Sequence, residues 1–414
     1  MKFIKIKNIA CNACSRRTIK NTNFLKGFLV LVFLFLPIYS FGQNVNYSNN
    51  GIKSQAFVPT AFTDKNSTAN YLLAATEVVG LNILIWANSK YLTKQDWADI
   101  SLNTISDNFR NGFTWDSDSF IMNQFLHPYH GASYFNTARS NGLTFWESAP
   151  YAFGGSLMWE YMMENEPPSY NDLINTTISG IILGEITYRV SDLIIDESTF
   201  GIERFSREFI SVLVNPVKGF NRFINGKMWS NGKKRNSSKT DIRLSFGSNN
   251  LFVERKIASS SLYFLTKLEM DYGNKFQTTK HHVPFDYFRI NAELSYSSDN
   301  SIVGVSASGV VWDSKFNFLS HSNNLAGLYK SFILYSNYVF KFTASSLVGE
   351  LSTKYNFSSN STFINSVGVS GIFVGATNST YSILVGKDYN LGPGLGINAA
   401  SNIIFFKKLS LKLA

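Results

Sequence analysis

Leu262-Tyr-Phe-Leu-Thr-Lys-Leu-Glu-Met-Asp-Tyr272 and Phe288-Arg-Ile-Asn-Ala-Glu-Leu-Ser-Tyr296 both read with a period of two. In the first run Leu262, Phe264, Thr266, Leu268, Met270 and Tyr272 share one face, opposite Lys267, Glu269 and Asp271. In the second, Phe288, Ile290, Ala292, Leu294 and Tyr296 alternate with Arg289, Asn291, Glu293 and Ser295. Successive strand side chains point to opposite faces, so each run describes a strand with one apolar and one polar side. The alternation resumes after the turn at Ser297–Asn300. It continues through Val303–Val311, Leu347–Phe357, Ser361–Ala376, Thr380–Asp388, Asn398–Phe406 and Leu409–Leu413. Runs of this length suit transmembrane barrel strands of ~9–11 residues better than the ~5–6-residue strands of a soluble sandwich. Residues 240–414 are therefore expected to form an antiparallel transmembrane β-barrel of about 10–12 strands, closed because an open edge cannot sit in lipid. The last run stops in mid-pattern at Ala414 without a terminal aromatic, as a sequence truncated at its C-terminus would.

Upstream the period changes to that of helices. Residues 68–225 are expected to be a helical domain, joined to the barrel by a Gly-, Asn-, Ser- and Lys-rich linker at 226–239. The expected helices are Ala69–Leu92, Pro150–Met163 after a Ser148 cap, and Ser169–Ile195 after Pro167-Pro168. The fold class is thus α+β and multidomain.

Residues 1–42 read as a signal peptide. Seven basic residues and no acid lead into the apolar run Phe28–Leu36, Pro37 breaks it, and Ser40-Phe41-Gly42 supplies small residues before a cleavage point at Gln43. Residues 43–67 form a polar lead-in. Cys11 and Cys14 fall within the leader, so the exported chain carries no thiol and no disulfide. The net charge of +10 also belongs to the leader; without it 31 basic residues face 28 acidic ones, and a nucleic-acid partner loses its support. Charged residues are 16% of the chain, aromatics 15% and the mean hydropathy −0.04, which excludes both a disordered chain and a polytopic helical membrane protein.

Candidate chemistry lies between Trp115 and Glu185. His127 and His130, three apart, share a helix face, with Pro128 in the first turn and His127 as a cap or pre-helix residue. The pair could bind a metal with Asp116, Asp118 or Glu147, act in acid–base or phosphate contact, or serve as structural hydrogen-bonding groups. HxxH alone is a weak signal, so no metal and no cofactor is assigned. Glu147 and Glu160 would lie about 220° apart on one ideal helix, but Pro150 argues against one helix running through both. Along the third helix Asn171, Asn175, Ile178, Ile182, Glu185, Arg189 and Asp192 recur at 4-3 spacing as one seam. Glu77, an acid in an apolar helix, is expected to meet Arg139 or Arg189. Together with Asn136 and Asp172 these groups are expected to form one polar network, since unpaired buried polar groups cost ~1–3 kcal/mol each.

The succession Asn123, His127-Pro-Tyr-His130-Gly, Tyr134-Phe-Asn136, Ala138-Arg139, Trp146-Glu147-Ser148, Trp159-Glu160-Tyr161, Asn171-Asp172 and Gly184-Glu185 resembles an uncharacterised Gram-negative envelope family, known as a domain of unknown function. The resemblance implies a secreted protein with this helical block followed by an outer-membrane barrel, and it imports no activity. Two function classes follow. The first is an outer-membrane protein with a structural, binding or transport role, in contact with outer-membrane lipid and with a polar pocket for an anionic envelope ligand. The second is an envelope lipid- or glycan-modifying hydrolase or transferase using His127 or His130 with Glu147 or Glu160.

Overall fold

A computed structural model describes residues 69–115, 120, 122–232, 239–252, 260–276, 283–297, 301–316, 322–337, 339–358, 360–379, 389–406 and 409–413. The signal segment, the lead-in, Asp116, Asp118, His281, His282, His321 and the expected strand at 380–388 lie outside the described residues. The helices are α1 (Tyr71–Ala87, running into a π turn at Asn88–Leu92), α2 (Leu102–Asn111), α3 (His127–Ser140), α4 (Phe145–Met162), α5 (Tyr170–Ile194), α6 (Gly201–Val214) and α7 (Pro216–Ile224).

Local chemistry sets their ends. Ser169 caps α5 by accepting from the Asp172 amide at 3.3 Å, close to the start expected from Pro167-Pro168. The start of α4 corrects the sequence reading. Thr144, not Ser148, is its cap, in a reciprocal box with Glu147; Ser148 lies inside the helix and donates to the Thr144 carbonyl at 2.8 Å. Pro150 is accommodated within α4, so Glu147 and Glu160 do share one helix. His127 is likewise not a cap: a π turn at Met122–Leu126 leads directly into it, and Pro128 takes the first turn.

The strands are β1 (Thr240–Phe252), β2 (Ser260–Tyr272), β3 (Phe288–Tyr296), β4 (Ser301–Phe316), β5 (Ser322–Ser336), β6 (Phe340–Ser358), β7 (Ser361–Ser379), β8 (Asn390–Phe405) and β9 (Leu409–Leu413). They form one antiparallel sheet in sequence order, a nine-stranded meander among the described residues. No ladder joins β1 to β9 among those residues, so the sheet stands open at both edges where a closed barrel was expected.

Register carries the face assignment from strand to strand. Met270, Ile290, Ala307, Phe332 and Ser345 are successive cross-strand partners on the apolar face. Glu269, Asn291 and Ser306 are partners on the other. The polar face is the concave one: Lys275, in the turn after β2, reaches Glu350 on β6, across a span three strands wide. Asp271 accepts from Arg289 at 2.7 and 2.9 Å and from the Tyr287 hydroxyl at 2.9 Å on this same side.

Helix α5 lies across the apolar, convex face. Its Ile182 and Ile186, with Phe135 of α3 and Phe145 of α4, pack into one core with Met270, Tyr272 and Phe288 of the sheet and Phe285 of the turn before β3. Its N-terminal half borders Ser345, Phe373 and Val374 of β6 and β7. Helix and sheet halves therefore share a core.

Glycine makes the α3–α5 contact possible. A Cβ on Gly131 would stand 1.8 Å from the Thr176 carbonyl oxygen, and one on Gly180 2.6 Å from the Gly131 backbone. Both obstacles are main chain and cannot swing aside. Gly131→Ala and Gly180→Ala should each cost at least the ~1–3 kcal/mol of an overpacked core in denaturant titrations. Gly154→Ala meets nothing within 4 Å and should be neutral or mildly stabilising.

Candidate functional site

The polar residues singled out in the sequence lie on α3, α4 and α5, and most are buried. Most of them gather in three places along α5, while His130, Glu147 and Glu77 have separate surroundings.

At its C-terminal half, Glu185 accepts from two arginines. Arg139 donates through Nε at 2.7 Å and Nη2 at 3.2 Å, and Arg189 through Nε at 2.7 Å. All three side chains are out of solvent. Arg189 also donates to the Pro284 carbonyl at 2.8 Å, approaches Asp286 at 3.4 Å and lies over the Tyr272 ring. Desolvation opposes the Arg189 charge, but Glu185, Tyr272 and Asp286 outweigh it and hold the guanidinium protonated. Two cations against two carboxylates leave the group neutral overall. The neighbouring Tyr188 ring has Arg139 on it at 4.4 Å and Lys218 at 4.0 Å, and Lys218 pairs with Asp192.

At its N-terminus, Glu160 accepts from the Ser169 amide at 2.7 Å. Ser169 donates to Asn171 at 2.8 Å, and Asn171 donates to Asp172 at 3.0 Å. His127 Nε2 lies 3.9 Å from Asp172, beyond hydrogen-bond length. One turn further, Asn175 donates to the Asn123 carbonyl, while Gln124 accepts from Thr343 at 2.7 Å and Asn123 donates to the Tyr389 hydroxyl at 2.6 Å. Asn136 sits beside the first group and donates to Thr187 at 3.1 Å.

His130 points the other way, toward α1. The Tyr134 hydroxyl donates to Asn82 and stands 2.8 Å from His130 Nε2. With the hydroxyl proton committed to Asn82, the neutral ring carries its own proton on Nε2. Asn82 in turn donates to the Gly155 carbonyl at 3.2 Å, and the Trp159 ring stands edge-on to His130 at 4.7 Å. Burial, with a smaller contribution from His127, lowers the His130 pKa to about 3. The ring is an internal hydrogen-bonding station, uncharged at neutral pH.

Glu147 stands apart from both histidines. It accepts from Tyr71 at 2.6 Å and from the Thr144 amide at 2.8 Å, and these bonds hold its carboxyl below the usual range. Among the described residues no three potential metal ligands converge. Glu77 meets neither arginine, contrary to the expectation from sequence, but accepts from Asn141 and Asn221, each at 2.9 Å. Three contributors escape a reading of the sequence. Asn82 carries a usable signal, as a lone amide in an apolar helix; Asp286 and Gln124 carry none, since their roles exist only once the sheet meets the helices.

The arginine pair gives a stability test. Glu185→Ala or Arg189→Ala strands a buried charge and should cost ~3–5 kcal/mol. Arg243→Ala, which loses an exposed pair with Asp241 on the polar face of the sheet, should cost ~0.2–1 kcal/mol in the same denaturant titration. His130 gives a pH test. The unfolded imidazole binds a proton near pH 6.5 and the folded one only near about 3, so the unfolded state holds the extra proton between these limits. Stability should fall as pH drops through that window. His130→Gln should flatten the slope by about 1.4 kcal/mol per pH unit, read from unfolding free energies at each pH.

Residues 112–217 match a family model described as "Domain of unknown function (DUF3943)". The match begins just after α2 and ends in α7, so it takes in the arginine pair, both histidines and all of α5. No curated protein and no solved structure matches the chain.

Proposed function

We propose that this is an outer-membrane β-barrel protein whose helical block is seated on the outside of the barrel wall, with a structural or binding role in the cell envelope. The observation that carries the reading is the polarity of the sheet. Its convex face, on both sides of the strip that α5 covers, is apolar and exposed among the described residues. Leu395 and Ile397 on β8 are 88% and 84% exposed, Phe246 on β1 is 73% exposed, and Val367, Val369 and Leu351 extend the patch. The concave face carries Lys267, Glu269, Asp271, Arg289 and Glu350, paired with one another or with Lys275. Apolar outside and polar inside is the arrangement of a membrane barrel and the reverse of a soluble one. In lipid the β1 and β9 edges must be satisfied, by each other or by chain outside the described residues.

An arginine scan tests the reading where a water-soluble sheet and a lipid-facing one disagree most. Val369→Arg and Ile397→Arg are surface changes in water, expected within ~0.5 kcal/mol. Facing lipid, each should cost ~2–4 kcal/mol near the membrane midplane. Asn291→Arg on the concave side should be milder. The expected result is a marked loss of folded, heat-modifiable protein in the outer-membrane fraction for the first two only; equal behaviour of both sets would overturn the reading.

A further inference from the structure

The centre of the helical block, around Phe135, Phe145, Ile182 and Ile186, is an apolar core, but its outer helices carry large apolar residues outward as well. In a bundle dissolved in water, helices bury apolar residues and expose polar ones. Here α1 turns Glu77, Asn82 and Ser89 toward its neighbours and leaves Leu72, Ile83 and Leu84 outside, Leu84 at 66% exposure. Together with its π turn, α1 is long and apolar enough to cross a membrane, and only 22% of that stretch is buried. Helix α6 buries Glu208 and Ser211 and exposes Ile202, Phe205, Phe209 and Leu213, with Phe209 53% exposed. Helix α7 buries Lys218, Asn221 and Arg222 and exposes Phe220, Phe223 and Ile224, with Phe223 58% exposed. The buried charges are matched: Arg222 donates to Glu208 at 2.8 Å and to Glu197 at 3.1 Å, Arg204 lies 3.0 Å from Glu208, and Lys218 holds Asp192.

We infer that α1, α6 and α7 are solvated by lipid acyl chains, so that the helical block is a lipid-facing body with its ion pairs buried and not a domain projecting into water. The inference rests on the barrel reading, because α5 packs on the same convex face whose uncovered parts that reading assigns to lipid. A body seated on a lipid-facing wall stands in the lipid itself. A protein partner explains the surface less well. Such a partner covers one patch of ~800 Å² per side, whereas the apolar exposure here recurs on three helices and on the sheet at both sides of α5. Acyl chains wet all of these at once. The close approach of α3 and α5 agrees: Gly180 and Gly184 form a G-x-x-x-G step on α5, packed against Gly131 and Phe135, the small-residue contact that membrane helices use.

The test uses the full-length protein, with Cys11 and Cys14 changed to Ser, reconstituted in phosphatidylethanolamine and phosphatidylglycerol vesicles. Single cysteines replace Leu84, Phe209, Phe223 and, as a reference on the barrel wall, Ile397. Each carries a nitroxide, and power saturation compares its accessibility to oxygen and to a water-soluble nickel chelate. A several-fold higher oxygen-to-nickel ratio at the three helix positions than for a free nitroxide in buffer, matching Ile397, is the expected result. If Ile397 is oxygen-accessible while the helix positions are nickel-accessible, the inference fails and the barrel reading stands. If all four are nickel-accessible, the barrel reading fails with it. Helix positions shielded from both reagents mark a protein cover, a second copy of the chain included, and overturn the inference. Should a cysteine variant fail to fold, photolabelling of the unaltered chain with a diazirine-bearing phospholipid gives the same readout. Adducts on α1, α6 and α7 are expected, and adducts confined to the strands would refute it.

Discussion

A guanidinium shut away from water must be given every partner by the protein, and Arg189 takes its partners from both halves of the chain. Glu185 comes from its own helix, while the Pro284 carbonyl, Asp286 and the Tyr272 ring come from the sheet and the loop leading into β3. Neither half alone offers a neutral set, since Arg139, Glu185 and Arg189 carry one positive charge between them. The helices are thus seated on the sheet at a defined register. Displacing α5 by one turn would take Arg189 away from Asp286 and the Pro284 carbonyl, and a buried charge that loses its partners costs several kcal/mol. The apolar contacts of Ile182, Ile186, Met270 and Phe288 supply attraction but little direction. The ionic contact supplies direction.

The strands are legible in the sequence because a period of two is a strong signal where one face is apolar. The expected run Phe288–Tyr296 is β3 residue for residue, and the seam on α5 reappears with Asn171, Asn175, Ile182, Glu185 and Arg189 all buried. Failures of the helix reading share one cause. Ser148 resembles a cap and Pro150 a helix start when each is weighed alone. The pair Thr144 and Glu147 makes a reciprocal box that outweighs the missing amide of Pro150, and α4 begins earlier. Glu77 invites a cation because a buried acid demands compensation. Two amides, Asn141 and Asn221, compensate it instead, and the second is 144 residues away in sequence. Periodicity reports which face of an element is apolar but not what that face meets. The seating of α5 on the convex face and the role of Asp286 therefore lie beyond it.

The site residues divide along the same line. Arg139, Glu185 and Arg189 are recognisable as partners because charges on buried helix faces have few ways to be satisfied. The histidines are not decodable, since an H-x-x-H spacing is equally compatible with a ligand pair and with two unrelated hydrogen bonds. In the folded chain His127 faces Asp172 and His130 faces Tyr134, so a shared spacing conceals separate surroundings. The neutral, enclosed state of His130 suits a group that fixes α1 against α3 through Tyr134 and Asn82.

Buried ion pairs under an apolar surface also change what holds the helices together. In water the main driving force would be removal of Leu and Phe from solvent, and the exposed Leu84, Phe209 and Phe223 would weigh against this arrangement. Among acyl chains that force vanishes, because lipid tails are as apolar as the side chains. What remains is close packing and polar pairing, and the chain is rich in both. Gly131 and Gly180 bring two backbones into contact, and Glu77, Glu160, Glu185 and Glu208 each find donors inside the block. Buried ion pairs inside α6 and α7 beneath exposed Phe209 and Phe223 are the local arrangement that the proposed lipid surroundings would favour. The lipid proposed for the convex face of the sheet would then serve as the solvent of both halves of the chain.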